Sequence, residues 1–302
     1  MKLLVIGFDG LSPDLAREAL DPIGYHVNPM LCPVPLTGPS WWTIYTGLSQ
    51  EQHGIKHMHA LTELHPEKLR TLCRQAWWAQ AACQGQAVFC WNLPSVWPAP
   101  QLPNGQFYCG WPFFVSDYSS WPEDPDWPSA EADPCWWEQT NAHFSNTDYA
   151  VAVRSLGPAE AIAREHLNLS LCMESLEFSG FDIAFVQFPF VDHLGHMWNM
   201  ATERDGIVEA VREITRTLQD CADEVAIVSD HGFNFPNQEH EDYGTWATRK
   251  STWEITVNVN AAACIRSLAG IKDEPADVLV PDVDPPDPSV VESRLQALGY
   301  IE

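Results

Sequence analysis

The sequence is short of positive charge, and of lysine above all. Only 16 Lys and Arg stand against 41 Asp and Glu over 302 residues, and five of the 16 are Lys. A net charge of −25 and a pI near 4.6 exclude nucleic-acid polymers and anionic membranes as natural partners, because both would be repelled. Long apolar runs are also missing, and none approaches the roughly 20 residues a membrane helix needs. The opening MKLLVIGFDG has one Lys, and Asp9 cuts its apolar run too early for a signal peptide. The nine cysteines show no CxxC pair and no regular spacing, so neither a zinc ribbon nor a disulfide framework is indicated. Their odd number favours reduced thiols, and together these absences read as a cytoplasmic protein. What is abundant is apolar content, 45%, enough for one large α/β domain or two ordinary ones.

The most informative stretch is Ile183 to Asn199, IAFVQFPFVDHLGHMWN. An apolar run of strand type, Ile183 to Phe190, leads into a turn carrying Asp192, His193 and His196. A carboxylate and an imidazole four residues apart can reach one cation, and their mixed oxygen and nitrogen donors suit Zn²⁺ or Mn²⁺. The alternative is a hydrogen-bonded pair within a loop.

Other segments place similar residues just after strands. Leu3 to Phe8 reads as a strand buried on both faces, followed by Asp9-Gly10 and a short helix from Pro13 to Leu20. Ligands of open α/β sheets sit beyond the carboxyl ends of the strands, which puts Asp9 in position; its alternative role is to cap the next helix. In LTGPSWWTIYTGLSQEQHGI, Leu36 to Ile55, Pro39 marks a first helical turn and Ser40 to Leu48 continues the helix. Thr37 is then at a helix N-terminus, where N–H groups and the dipole favour an oxyanion. Its hydroxyl is a candidate nucleophile once a metal lowers its pKa, and an ordinary N-cap is the plainer reading. Glu224 to Val228 is a strand ending in Ser229-Asp230-His231-Gly232, again either metal ligands or a buried Asp–His pair. His240 follows, ahead of a short strand over Gly244 to Ala247.

Between these lie a helix over 67–83, a strand from Gln86 to Trp91 ending at Asn92, and helices over Gly157–Phe178, Thr202–Cys221 (Thr202 a candidate cap), Asn260–Leu268 and Pro288–Leu298. Residues 93–150 are dense in Pro, Trp and acidic residues, which excludes long helices and central strands. They read as an ordered irregular insertion capping the strand ends, or else as a second small core. Strands and helices alternate, giving a helix–sheet–helix layered α/β domain over 1–302.

FDG at 8–10, TGPSWWTIYTGLSQEQHGI at 37–55, VDHLGH at 191–196 and SDHGF at 229–233 resemble the type I phosphodiesterase/nucleotide pyrophosphatase family of the alkaline phosphatase superfamily. NLPSVWPAPQLPNGQFYCGW and the terminal LQALGYIE are similar to segments of its prokaryotic members, and the motifs run through the whole chain in order. The resemblance implies an alkaline-phosphatase-like sandwich with a mainly parallel sheet and two divalent metal ions, zinc first and manganese second. It assigns Asp192, His196 and His240 to one metal, His240 through the HxxxG at 240–244. Asp9, Asp230, His231 and the Thr37 oxygen fall to the other, with Thr37 the nucleophile and the Gly38 N–H on a non-bridging oxygen. His53 matches a structural position, and His193 has no assigned role. The implied activity is hydrolysis of phosphate diesters or nucleotide pyrophosphates through a phospho-threonine.

One departure is Met58, where many family members have a phosphate-binding Asn; His57, His59 and Asn92 are the candidate replacements. Between Thr37 and Leu69 the only Lys or Arg residues are Lys56 and Lys68, which tilts the reading from monoesters toward diesters. A sulfatase CxPxR motif is absent, and the chain is short for a cofactor-independent phosphoglycerate mutase. The rival readings are a phosphomonoesterase or phosphonate hydrolase on the same scaffold, and a non-catalytic metal-binding relative.

Overall fold

A computed structural model describes residues 1–57, 66–96, 100–109, 157–177, 180–197, 203–250 and 254–276. Its elements, in chain order, are β1 (Leu3–Phe8), α1 (Pro13–Leu20), β2 (His26–Leu31), α2 (Thr37–Thr46), α3 (Gln50–His53), α4 (Pro66–Gln75), α5 (Trp77–Cys83), β3 (Val88–Leu93) and β4 (Gly105–Cys109). After the described gap come α6 (Pro158–Glu177), β5 (Ile183–Phe188), α7 (Phe190–Met197), α8 (Arg204–Leu218), β6 (Glu224–Val228), β7 (Gly232–Asn234), β8 (Glu239–Glu241), β9 (Tyr243–Thr248) and α9 (Ala261–Ala269).

Among the described residues seven strands form the central sheet, in the order β2-β9-β6-β1-β5-β3-β4. All neighbouring pairs from β6 to β4 are parallel, and β9 runs antiparallel to both β6 and β2. β1, β3 and β5 are buried along their whole length, which is why they read as continuous apolar runs rather than alternating ones. Alternate residues still divide between the two faces. Val5, Cys90, Phe185 and Val228 pack beneath α2, α5 and α9, among Trp41, Trp42, Tyr45, Trp77 and Trp78. Leu4, Ile6, Val186 and Ile227 pack beneath α1, α6 and α8. The result is the layered α/β arrangement expected from the sequence.

Several elements depart from expectation. Phe190–Met197 is a helix where a turn was read: Phe190, Val191 and Leu194 form its buried face, and Asp192 and His196 lie one helical turn apart. The helix read over 67–83 is broken at Ala76, whose extended backbone turns Trp77 and Trp78 into the core. β2 carries no strand pattern in the sequence because Pro29 and polar neighbours interrupt it, tolerable at the edge of the described sheet. Gly105–Cys109, inside the stretch read as irregular, is the opposite edge strand. The rest of that stretch from 110 on, Thr202, and the helix read at Pro288–Leu298 lie outside the described residues.

Candidate metal centre

Because β6, β1 and β5 are adjacent and parallel, their carboxyl ends meet at one edge of the sheet. Asp9 follows β1, Asp192 sits in the first turn of α7 just after β5, and Asp230-His231 follow β6. β9 runs the other way, so its start lies at this same edge and His240 arrives from just before it. Gly244 makes that approach feasible: a Cβ there would fall 2.3 Å from the Ser229 carbonyl oxygen. β2 ends here too, and the loop after it delivers Thr37.

Thr37 is the first residue of α2, and Leu36 occupies the N-cap position. The Thr37 hydroxyl therefore does not serve as the cap. It lies 3.3 Å from Asp9 Oδ1, to which it donates, and 3.4 Å from His231 Nε2. Gly38 is the second residue of the helix, so its N–H is one of the first-turn donors with no acceptor within the helix.

Two groups of three converge with ligand atoms within 4.8 Å of one another: Asp192, His196 and His240, and Asp9, Asp230 and His231. In the first, Asp192 Oδ1 is 3.5 Å from His196 Nε2 and 3.2 Å from His240 Nε2. In the second, His231 Nε2 is 3.3 Å from both Asp9 Oδ1 and Asp230 Oδ2. The groups adjoin, since His231 Nε2 is 3.9 Å from Asp192 Oδ1 and the His231 and His240 rings stack at 4.0 Å.

The tautomers are set from behind. His231 Nδ1 lies 3.0 Å from the Gly232 carbonyl and His240 Nδ1 2.6 Å from that of Pro35. A carbonyl only accepts, so each Nδ1 carries hydrogen and each Nε2 is turned inward as a ligand atom. Asp9 is held in the same manner: Trp41 Nε1 donates to Oδ2 at 3.0 Å and Gln187 Nε2 at 3.4 Å, leaving Oδ1 to the site. Neither residue stood out in the sequence, although a lone Gln inside the apolar run IAFVQF signals a buried polar group in need of a partner.

Charge is the strongest feature. Asp9, Asp192 and Asp230 are fully buried, and among the described residues no Lys or Arg pairs with Asp9 or Asp230. Burial raises Asp9, with His231 and Trp41 opposing. Burial, then Asp9 and Asp192, push Asp230 well above the carboxylate range. Burial would also raise Asp192, but His196 and His240 hold it below. Three carboxylates this close cannot all ionise in a dry site without a cation. Asp230 Oδ2 is buried with no hydrogen-bond partner among the described residues. An orphaned carboxylate oxygen, inward imidazole nitrogens and no Lys or Arg on Asp9 or Asp230 fit divalent metal ions.

The remaining candidates stand apart. His53 is buried outside both triads: its Nδ1 accepts from the Ile55 N–H at 3.1 Å and its Nε2 faces Thr43 Oγ1 at 3.1 Å. His193 is buried on α7, outside both triads, and burial pulls its imidazole down to about 4. Asn92, at the end of β3, turns its Nδ2 to Gln187 O and Oε1, 3.1 and 3.4 Å away, and its Oδ1 is left without a hydrogen-bond partner among the described residues. His57 is exposed, and Met58 and His59 lie outside the described residues.

A family model described as type I phosphodiesterase/nucleotide pyrophosphatase matches residues 3–281, and the chain belongs to that family. It is thereby a hydrolase of the phosphodiesterase/pyrophosphatase type. No curated protein is significantly similar to it in sequence. Among solved structures, murine ectonucleotide pyrophosphatase/phosphodiesterase 5 matches with a TM-score of 0.50 at 11% identity, over 94% of this chain and 99% of its own. An inactive threonine-to-alanine variant of that murine protein in complex with AMP matches at 0.50 and 10%, over 92% and 97%. The human protein matches at 0.50 and 9%, also over 92% and 97%. At such identities the likeness establishes the fold, which is alkaline-phosphatase-like.

Proposed function

We propose that the chain hydrolyses phosphate diesters or nucleotide pyrophosphates, with Thr37 as nucleophile beside two divalent metal ions. The observation that carries this reading is the Thr37 hydroxyl, turned away from its own helix toward Asp9 Oδ1 and His231 Nε2. Asp192, His196 and His240 would hold one ion, and Asp9, Asp230, His231 and the Thr37 oxygen the other; zinc suits these donors best, with manganese next. When bound, such ions lower the pKa of an adjacent hydroxyl and neutralise charge at both ends of an in-line displacement.

The chain's own residues do the rest. Thr37 Oγ1 forms a bond to phosphorus as the bond to the leaving oxygen breaks, and that oxygen departs with the electron pair and takes up a proton. Water then cleaves the phospho-threonine, restoring the hydroxyl and releasing the phosphate. The first-turn N–H groups of α2, Gly38 among them, and the helix dipole face the non-bridging oxygens. Asn92 fits a phosphate contact poorly, because its donor is committed to Gln187 and its spare atom is an acceptor.

A diester carries less charge than a monoester, and the lack of a described Arg or Lys partner on Asp9 or Asp230 favours it. The murine relative's complex with AMP makes nucleotides the first substrates to try. Cys32, Cys90, Cys172 and Cys264 are buried thiols rather than disulfides, which suits a reducing compartment such as the cytoplasm. No described helix is long and apolar enough to cross a membrane.

The test compares bis-p-nitrophenyl phosphate with p-nitrophenyl phosphate on metal-loaded protein and on Thr37→Ala. Diester turnover that collapses in Thr37→Ala is expected. A Thr37-dependent monoester preference would move the function to a phosphatase, and full activity in Thr37→Ala would remove Thr37 as the nucleophile.

A further inference from the structure

Two buried side chains from two elements converge on one oxygen of one carboxylate, and a third backs one of them. Trp41 from α2 and Gln187 from β5 both donate to Asp9 Oδ2. Asn92 from β3 donates in turn to Gln187 Oε1 and to its carbonyl. All are fully or nearly fully buried, Trp41 and Gln187 at 0% exposure and Asn92 at 7%.

The local backbone shows that the arrangement is costly. Asn92 has φ +57°, the left-handed region, which Asn tolerates better than most residues. The pairing of β3 with β4 is irregular between Cys90 and Leu93, the span that contains it. Asn92 also leaves its Oδ1 without a hydrogen-bond partner among the described residues. On the other side, the Trp41 ring lies so close over β1 that a Cβ on Gly7 would fall 2.8 Å from its Cη2. A polar residue within a doubly buried strand and an Asn with positive φ serve no packing purpose that apolar residues would not serve better.

We infer that Trp41 and Gln187, with Asn92 behind Gln187, are positioning residues that orient Asp9 and set the metal affinity of the Asp9–Asp230–His231 triad. Two donors on Oδ2 fix the plane of the carboxylate and direct Oδ1 to the site. Asn92 fixes Gln187 so that its amide NH₂, not its oxygen, faces Asp9; a reversed amide would set two acceptors against each other. The second triad, on α7 and before β9, receives none of these contacts. The inference rests on the two-metal reading of the site.

The experiment titrates metal-stripped full-length protein with Zn²⁺ against a chromophoric chelator. His196→Ala and Asp230→Asn identify which equivalent belongs to which triad. Trp41→Phe and Gln187→Met each remove one donor while keeping an apolar body of similar reach, and Asn92→Asp removes the donor behind Gln187. Each is expected to weaken the Asp9 equivalent by about 10–100-fold, the usual effect of losing an outer partner of a ligand, and to leave the other unchanged. Unchanged affinity at both equivalents, or equal weakening of both, would overturn the inference while leaving the two-metal reading intact. A wild-type chain that binds no Zn²⁺ would overturn that reading and the inference with it. The unaffected equivalent reports within the same sample that a variant is folded.

Discussion

His196 Nε2 and His240 Nε2 face each other at 2.9 Å, with Asp192 Oδ1 within 3.5 Å of both. The His240 ring cannot turn away, because its Nδ1 is tied to the Pro35 carbonyl. Two imidazoles held nose to nose compete for one proton when no metal is present, and share a metal without conflict when one is.

Metal removal is therefore expected to cost stability as well as activity. A ligand at about 100 times its Kd stabilises the native state by about 2.7 kcal/mol. At about 2.1 cal/mol/K per residue a chain of 302 residues moves its Tm by about 1.6 °C per kcal/mol, so chelation is expected to lower Tm by about 4 °C for each ion lost, and Zn²⁺ or Mn²⁺ to restore it. Thermal melts with and without chelator decide it, and coincident curves would argue against bound metal.

His53 predicts an acid-sensitive fold. Burial, and then Lys68, lower its imidazole from the ordinary 6.5 to about 4. The neutral ring accepts from the Ile55 N–H at Nδ1, which a proton there would break. Between those two values the folded state binds fewer protons than the unfolded, so this contribution is complete above about 6.5 and is lost as pH falls toward about 4. His53→Gln, which offers both a donor and an acceptor, is expected to flatten the fall in urea midpoint across that window. Equal slopes in both proteins would show that His53 is not responsible.

Gly7→Ala is expected to destabilise the chain by about 1–3 kcal/mol, the range for overfilling a packed site. The added methyl meets Trp41 Cη2, so a smaller ring should relieve it. In a double-mutant cycle, Gly7→Ala with Trp41→Phe should cost less than the sum of the two singles. Simple additivity would mean that the indole does not set the limit at Gly7.

A net charge of −25 makes salt a stabiliser. Self-repulsion among surface carboxylates is screened as the Debye length falls from about 10 Å at 0.1 M to about 3 Å at 1 M. Tm should rise with KCl over that range, and a flat or falling series would show that the acidic surface carries no such cost.

The positions of Asp9, Asp230 and His231 were legible because they come at the ends of apolar runs, where an α/β sheet places its ligands, and that of Thr37 because Pro39 marks the first turn of its helix. Asp192 and His196 were legible as a pair but not as a helix. The end of the apolar run read as a turn, while the four-residue spacing of Asp192 and His196 already matched a helical face. The contribution of Gln187 was hidden because one polar residue in an apolar strand looks like an exception, and only the fold shows that it lies beside Asp9. His240 needed the family resemblance, since nothing local reveals that β9 runs backwards.

That sheet order has a consequence for synthesis. β1 is made well before both of its neighbours in the sheet, β5 and β6, which come after residue 180. The central strand thus leaves the ribosome with two open edges and waits for more than half the chain. Neither triad can close until His231 and His240 have emerged, so a nascent chain cannot capture metal early through a finished site. Metal uptake would then serve as a late checkpoint, marking chains in which the middle of the sheet has been completed.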